Sequence, residues 1–375
     1  MCIYPLSEEK LANLNKYKYK STNQSLLYNH IASPFLNKLV NFVPTKLAPN
    51  VITLSALMFN VIAAVISYLD GGFDFSHELK RTTCLTIGLF QLIYYILDGL
   101  DGKQARKTGN STPFGMIMDH GCDVFTTVLT AFNFSKILLL GNEDFYSFTA
   151  FFTLLLGFYM ITFEELKVGE MHLPKCSGAD EGNIVVAFFG LVFGIMGQSF
   201  LKANIIPGIK ISTGKFFGLC MAIASLSTVF NCYVNTYKKK GGKECLRNIY
   251  QNANFYSVIV VPLIYIFYFK EFYKENKGLI LLNASCIFAR VCVDLQIKIC
   301  TMDVPSCCML YIFSNVTFVF SLFTYFDFIR YWVLLILFIV QGVELSFFVF
   351  IRAREISKYL DIKIFCIKEK SVLPV

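Results

Sequence analysis

Ten long apolar runs limit what this chain can fold into more than any other feature of its sequence. A transmembrane helix needs roughly 20 apolar residues, and each run is close to that length. Because lipid offers no hydrogen-bond partner to the backbone, an open chain that crosses it has to be helical. We therefore predict an all-α polytopic membrane protein with about ten transmembrane helices. The predicted spans are residues 51–70, 82–101, 114–140, 146–165, 182–200, 214–234, 253–270, 278–298, 308–326 and 331–351.

The composition agrees with this class of protein. Of the 375 residues, 55% are hydrophobic and 16% are charged, whereas a soluble globular domain is about 25% charged. The 13 cysteines are scattered through apolar stretches, which is typical of buried packing and not of a disulfide framework. The net charge of +8 is better explained by basic cytosolic loops than by nucleic-acid binding. We predict no nucleic-acid partner.

Basic residues are distributed unevenly between the predicted loops. An even number of spans places both termini on one side, and that side carries most of the lysines and arginines, including Lys238, Lys239 and Lys240. The side with more lysines and arginines is expected to be cytosolic. Two amphipathic helices, near residues 7–18 and 24–42, precede the first span. They are expected to lie on the cytosolic membrane surface or to pack against the bundle.

Four aspartates stand together at the end of the second span and the start of the third. Asp98 and Asp101 are three residues apart, and Asp119 and Asp123 are four apart, so each pair lies on one face of a helix. A tight connection that contains Gly109 would bring the two faces together. The four carboxylates are therefore expected at one cytosolic site.

These carboxylates require cationic partners, because each charge within a membrane costs at least about 2.5–3.5 kcal/mol on insertion scales. Ligands that are all oxygen select a hard ion such as Mg²⁺ or Mn²⁺. Asp98, Asp101, Asp119 and Asp123 are predicted to hold two such ions. That arrangement is typical of phosphoryl chemistry.

The residues around the aspartates agree with a phosphate-binding site. Gly102, Ala105 and Gly115 are small enough for a ligand to approach the backbone. Arg106 is placed to bind a phosphate with its forked donors. His120, beside one of the aspartates, can accept a proton near neutral pH.

Residues 98–123 match D-x2-D-G-x2-A-R-x8-G-x3-D-x3-D at every fixed position, and the chain therefore resembles the CDP-alcohol phosphatidyltransferase family. The strings DGKQARKTGNSTPFG and DHGCD, together with APNVITL at 48–54 and LPKCSGADEG at 173–182, are similar to the eukaryotic choline/ethanolamine phosphotransferase subfamily. The chain departs from that subfamily at Phe163 and Leu166, where Trp and Tyr are usual. These departures affect the prediction of the head group and leave the predicted reaction unchanged.

The resemblance implies a reaction and roles for particular residues. It implies transfer of phosphocholine and/or phosphoethanolamine from CDP-choline or CDP-ethanolamine to diacylglycerol, with release of CMP. It implies that the four aspartates bind two Mg²⁺ ions, with Mn²⁺ as a substitute. Asn50 and Arg106 would contact the CDP-alcohol, His120 would take the proton from the diacylglycerol hydroxyl, and Glu181 would lie near the acceptor entry. It also implies a homodimer in the endoplasmic reticulum or Golgi bilayer, with its active site facing the cytosol.

Four regions follow from these expectations. They are cytosolic or interfacial helices at 1–48, catalytic helices at 49–235, C-terminal transmembrane helices for dimerisation and lipid access at 236–355, and a cytosolic tail at 356–375.

Several alternatives stay open at this point. Asp123 is the second candidate for the base, and the head group is not determined. Another CDP-alcohol phosphatidyltransferase, acting on inositol or glycerol phosphate, is the nearest alternative function, although such enzymes are commonly shorter. A polytopic transporter is the alternative from another class, although transporters more often show paired repeats and broken helices at the midplane.

Overall fold

The computed structural model describes residues 5–142, 144–175, 178–205, 211–303 and 309–367, and its regular structure is almost entirely helical. In that part of the chain, the helices are α1 (Glu8–Leu14), α2 (Ser33–Leu39), α3 (Pro49–Leu69), α4 (Arg81–Thr108), α5 (Pro113–Ile137), α6 (Asp144–Val168), α7 (Ala179–Met196), α8 (Thr213–Lys240), α9 (Gly242–Gln251), α10 (Ala253–Tyr268), α11 (Lys270–Thr301), α12 (Met309–Phe320) and α13 (Asp327–Tyr359). Two short strands, β1 (Ser21–Asn23) and β2 (Met171–Leu173), pair in parallel.

The all-α prediction is confirmed, and each of the ten predicted spans coincides with one helix, α3–α8 or α10–α13. Seven helices in the described residues are long and apolar enough to cross a membrane, namely α3, α4, α6, α7, α8, α11 and α13. The chain is therefore a multi-pass membrane protein. Helices α10 and α12 have 16 and 12 residues. At about 1.5 Å per residue, α12 is shorter than a hydrocarbon core of about 30 Å, so the count of ten spans stays a prediction.

The turn between α4 and α5 explains how the two halves of the aspartate motif meet. Gly109 ends α4 with φ +70°, in the left-handed region, and its N–H donates to carbonyl groups of the last turn. Thr112 caps α5 by accepting from the N–H of Gly115 at 3.0 Å, and Pro113 is the first helical residue. The predicted tight connection is therefore present, and the two helices run antiparallel.

Glycines allow α4 and α7 to pack backbone against backbone. A Cβ atom on Gly190 would lie 2.6 Å from the Cα atom of Gly88, and a Cβ atom on Gly88 would lie 2.5 Å from the backbone nitrogen of Leu191. No side chain fits between two backbones at these distances. The two helices in this contact also carry residues of the predicted site, Asp98 on α4 and Glu181 on α7.

We predict that Gly190→Val destabilises the protein by about 1–3 kcal/mol or more, because the added side chain forces α4 and α7 apart. A thermal unfolding curve in detergent measures this loss. Gly342→Val in α13 is the matched control, since a Cβ atom there meets nothing within 4 Å. Equal melting temperatures for the two variants would contradict the packing described here.

Residues 5–48, called the N-terminal segment here, combine the two arrangements that the sequence left open: packing against the bundle and lying on the membrane surface. Leu36 is 2% exposed and packs against Gly99 of α4, whereas Ile31 and Phe35 are 64% and 52% exposed. One face of the segment therefore packs on the bundle, and the other presents an apolar surface, as in an interfacial helix. The strand pair β1–β2 joins this segment to the loop after α6.

The C-terminal helices pack directly against the catalytic region. Helix α11 contacts α5 and α6 on one side and α13 on the other. Arg290 of α11 lies 2.9 Å from Glu344 of α13 and 3.6 Å from Asp294, which also pairs with Lys298 at 2.5 Å. These four charges are thus mutually paired. The division of the chain at residues 235 and 355 stays a prediction.

Candidate active site

Three of the four predicted aspartates form a compact cluster between α4 and α5. One carboxylate oxygen from each of Asp98, Asp119 and Asp123 lies within 4.8 Å of the others. Asp98 stands ten residues before the last residue of α4, and Asp123 stands ten residues after the first residue of α5. Because the helices are antiparallel, equal distances from the turn place the two residues at equal depth.

Asp101 lies outside this compact cluster and is held by α3. It is 4% exposed and accepts a hydrogen bond from the hydroxyl of Thr53, itself 4% exposed. Thr53 follows the string APN at the start of α3. The structure therefore brings together three of the predicted ligands, with the fourth positioned beside them by a third helix.

The cluster has the chemistry of a cation site. Asp98 and Asp123 lie within hydrogen-bonding reach of each other, and no lysine or arginine of the described residues forms a salt bridge with Asp98, Asp119 or Asp123. Three carboxylates this close repel one another unless a cation neutralises them. The hydroxyl of Tyr94 donates to Asp123 at 2.7 Å, which fixes one carboxylate and leaves its other oxygen for a ligand. An oxygen donor set of this kind fits Mg²⁺ or Mn²⁺.

The predicted small residues and Arg106 lie at the open end of the site. Arg106 is exposed, and its Nη1 atom would be 3.6 Å from a Cβ atom placed on Gly102. A Cβ atom on Gly115 would be 3.6 Å from the Oδ1 atom of Asn50. Asn50 donates to the carbonyl oxygen of Ile364, at 2.7 Å, so the C-terminal segment reaches this region. Ala105 lies one turn from the end of α4, and its carbonyl oxygen accepts from the N–H groups of Gly109 and Asn110.

His120 is 8% exposed and lies between three elements. Its Nδ1 atom is 3.4 Å from the Oε1 atom of Gln296 on α11. The ring of Tyr19 packs edge-on against it, with centroids 5.6 Å apart and an interplanar angle of 75°. The N-terminal segment therefore closes one side of the site.

A cavity of about 210 Å³ extends from the aspartates between α4, α5, α6, α7 and α8. Asp98 and Asp123 lie at its polar end, and Phe158, Met221 and Val186 are among the apolar residues that line the remainder. The cavity therefore connects the charged cluster to an apolar space. That combination suits a ligand with a polar head and a hydrocarbon tail.

Glu181 lies at the edge of this cavity, in the first turn of α7. Its carboxylate accepts from the Ser25 hydroxyl at 2.6 Å and from the Gly178 N–H at 3.2 Å. The neighbouring Asp180 accepts from Asn23 at 3.0 Å and from Tyr95 at 3.2 Å. These bonds tie the N-terminal segment to the entrance of the cavity.

Two glutamates at the end of α6 are buried. Glu164 and Glu165 are each 2% exposed. Glu164 lies 3.2 Å from His172. The Oε2 atom of Glu165 has no hydrogen-bond partner among the residues that the structure describes. The loop after α6 and the N-terminal segment, joined by β1–β2, lie at this end of α6.

Three residues of the site were not predicted from the sequence. Tyr94 was detectable, since it lies four residues before Asp98 and shares its helix face. Thr53 lies within the string APNVITL at 48–54, but nothing in that string indicates a contact with Asp101. Gln296 gave no signal, because it reaches the motif from another helix. Both are ordinary polar residues within apolar runs.

Comparisons with known proteins agree with the motif. A family model described as CDP-alcohol phosphatidyltransferase matches residues 46–214. The CDP-alcohol phosphatidyltransferase class-I family protein 3 of Dictyostelium discoideum is 35% identical over 200 residues, covering 52% of this chain and 49% of that protein.

Two relatives with more specific names are also similar. Ethanolaminephosphotransferase 1 of Homo sapiens is 32% identical over 200 residues, covering 51% of this chain and 50% of the relative. Choline/ethanolaminephosphotransferase 1 of Arabidopsis thaliana is 29% identical over 243 residues, covering 61% of this chain and 60% of the relative. The chain spans about half the length of the curated relatives it matches.

Proposed function

We propose, from the match of residues 46–214 to the CDP-alcohol phosphatidyltransferase family model, that the chain is a member of that family and transfers phosphocholine or phosphoethanolamine from a CDP-alcohol to diacylglycerol. CMP is the second product. One observation carries the proposal more than any other, namely a cluster of three carboxylates, two of which, Asp98 and Asp123, line a largely apolar cavity. A water-soluble nucleotide and a lipid both need access to such a site. The names of the curated relatives support the choice of head groups.

The aspartates are proposed to hold two Mg²⁺ ions, with Mn²⁺ as a substitute. Asp98, Asp119 and Asp123 provide the compact set of ligands, and Asp101 lies beside them on the next turn of α4. Bound there, the ions would neutralise the diphosphate and stabilise the charge that develops on the departing CMP oxygen. Tyr94 and Thr53 keep two of the carboxylates in fixed orientations.

The remaining residues bind substrate and move one proton. Arg106 binds a phosphate oxygen of the CDP-alcohol from the open end of the site, and Asn50 contacts the same ligand. Gly102, Ala105 and Gly115 leave room for it beside the backbone. The diacylglycerol hydroxyl attacks the phosphorus next to the alcohol, and the bond from that phosphorus to the CMP oxygen breaks. His120 accepts the hydroxyl proton.

The apolar cavity is proposed as the acceptor side of the reaction. Diacylglycerol enters laterally from the bilayer, with its hydroxyl toward Asp123 and its hydrocarbon along the apolar lining. Glu181 lies near this entrance. We further propose a homodimer in the endoplasmic reticulum or Golgi membrane, with the α4–α5 turn in the cytosol. The basic loops support that orientation.

One assay tests the function and the head group together. Purified protein is given diacylglycerol, Mg²⁺ and either CDP-choline or CDP-ethanolamine, and both CMP and the phospholipid are quantified. The proposal predicts equal amounts of the two products with at least one donor. Activity only with CDP-diacylglycerol as donor and inositol or glycerol phosphate as acceptor would assign the chain to another branch of the family.

Removing divalent cations is predicted to abolish CMP release, because the clustered carboxylates then repel one another and the diphosphate. The measurement is the initial rate after treatment with EDTA, followed by titration with Mg²⁺ or Mn²⁺, and both ions are expected to restore activity. EDTA already saturated with Mg²⁺ is the control. A rate that is unchanged by metal-free EDTA would rule out the proposed cofactor.

A further inference from the structure

His120 is connected to two helices through one buried amide. The Oε1 atom of Gln296 lies 3.4 Å from the Nδ1 atom of His120, and the Nε2 atom of Gln296 donates to the hydroxyl oxygen of Thr162 at 3.3 Å. Gln296 and Thr162 are 0% and 1% exposed. A fully buried amide is costly unless its donor and acceptor are both used. In the structure its oxygen faces His120 and its nitrogen faces Thr162.

With the amide oxygen facing the ring, this contact favours one tautomer of His120. An amide oxygen only accepts hydrogen bonds, so a hydrogen bond at this contact needs its hydrogen on Nδ1. In a neutral imidazole the Nε2 atom is then left with its lone pair. A separation of 3.4 Å is at the long end of a hydrogen bond, and such bonds commonly shorten when substrate is bound.

We propose that Gln296 is a positioning residue, which holds His120 in the Nδ1–H tautomer and so presents Nε2 as the proton acceptor. This inference rests on the proposed function, in which His120 takes the proton from the acceptor hydroxyl. It gives α11 a role in positioning the proton acceptor, although α11 lies outside the residues 46–214 that match the family model. The C-terminal helices then contribute to the reaction itself, and not only to packing.

The tautomer can be measured without any turnover. Solid-state NMR of protein labelled with ¹⁵N-histidine, reconstituted in lipid with Mg²⁺ at pH 8, distinguishes protonated from unprotonated ring nitrogens. Four histidines are present, and a His120→Asn sample identifies the His120 signals. The proposal predicts a protonated Nδ1 and an unprotonated Nε2. It is overturned if Nε2 carries the proton in the wild-type protein.

Kinetics then test whether this tautomer matters for the reaction. Gln296→Met keeps the length of the side chain but removes the acceptor, and kcat is expected to fall at least about tenfold. The KM for the CDP-alcohol should stay within about twofold, because the ground-state contacts are unchanged. Gln296→Glu keeps an acceptor facing Nδ1 and should recover much of the rate. If Gln296 were only structural, a buried charge would be at least as harmful as methionine.

Two controls separate the possible failures. Gln341→Met removes a buried amide from α13, where Gln341 is 4% exposed and its amide has no hydrogen-bond partner among the described residues. This variant should keep the wild-type rate. In a His120→Ala background, Gln296→Met should cost nothing further, since both act through one imidazole. An additional loss in that background overturns the positioning role. If the wild-type protein releases no CMP, the proposed function is refuted. The NMR measurement still tests whether Gln296 holds His120 in the Nδ1–H tautomer.

Discussion

Replacing Asp123 with asparagine is expected to abolish CMP release, with a loss of about a thousandfold or more, while the protein remains folded in the membrane. Asn keeps the shape of Asp123 and still accepts the hydrogen bond from Tyr94. It removes the negative charge from the three-carboxylate cluster. Asp119→Asn should have the same effect for the same reason. The initial rate and a detergent unfolding curve are measured on the same preparation.

Asp361→Asn is the matched control for these variants. Asp361 is exposed, follows α13 and has φ 50°, a conformation that asparagine tolerates. Its rate and stability should equal those of the wild type. Near-normal activity of Asp119→Asn or Asp123→Asn would rule out the assignment of the cluster as the cation site.

Replacing His120 with alanine is expected to reduce kcat by about 10²–10⁴-fold, the usual contribution of a positioned proton acceptor. The KM for the CDP-alcohol should change little, since His120 acts on the acceptor hydroxyl. Initial rates at saturating CDP-alcohol and diacylglycerol measure the effect. His30→Ala is the matched control, because His30 is exposed and lies in the N-terminal segment.

A small effect of His120→Ala would move the role of base elsewhere. If the rate and its pH dependence barely changed, Asp123 would be the remaining candidate. That result would also remove the basis for a positioning role of Gln296, while the cation site would be unaffected.

Much of the site was predictable because its spacing is local. The antiparallel turn at Gly109, the helix faces of Asp98 and Asp123, and their equal depth all follow from residues within one hairpin. Helix geometry converts such spacing directly into position. The helical class was predictable for a similar reason, since each apolar run is a local feature that lipid allows to fold in only one way.

The parts that escaped prediction depend on contacts between distant segments. Thr53 meets Asp101 and Gln296 meets His120 across 48 and 176 residues, and no local pattern marks either partner. The burial of Glu165 depends on how the N-terminal segment folds over α6. Glu344 of α13 likewise pairs with Arg290 of α11, 54 residues away along the chain.

The central claim is that one cation-binding aspartate cluster transfers a phosphoalcohol to diacylglycerol. It is tested most directly by quantifying CMP and phospholipid made by the purified protein from CDP-ethanolamine or CDP-choline with Mg²⁺, beside Asp123→Asn. The account predicts both products in equal amounts from the wild-type protein and neither above background from the variant. Equal rates for the two proteins, or no CMP release from either donor by the wild type, would contradict it.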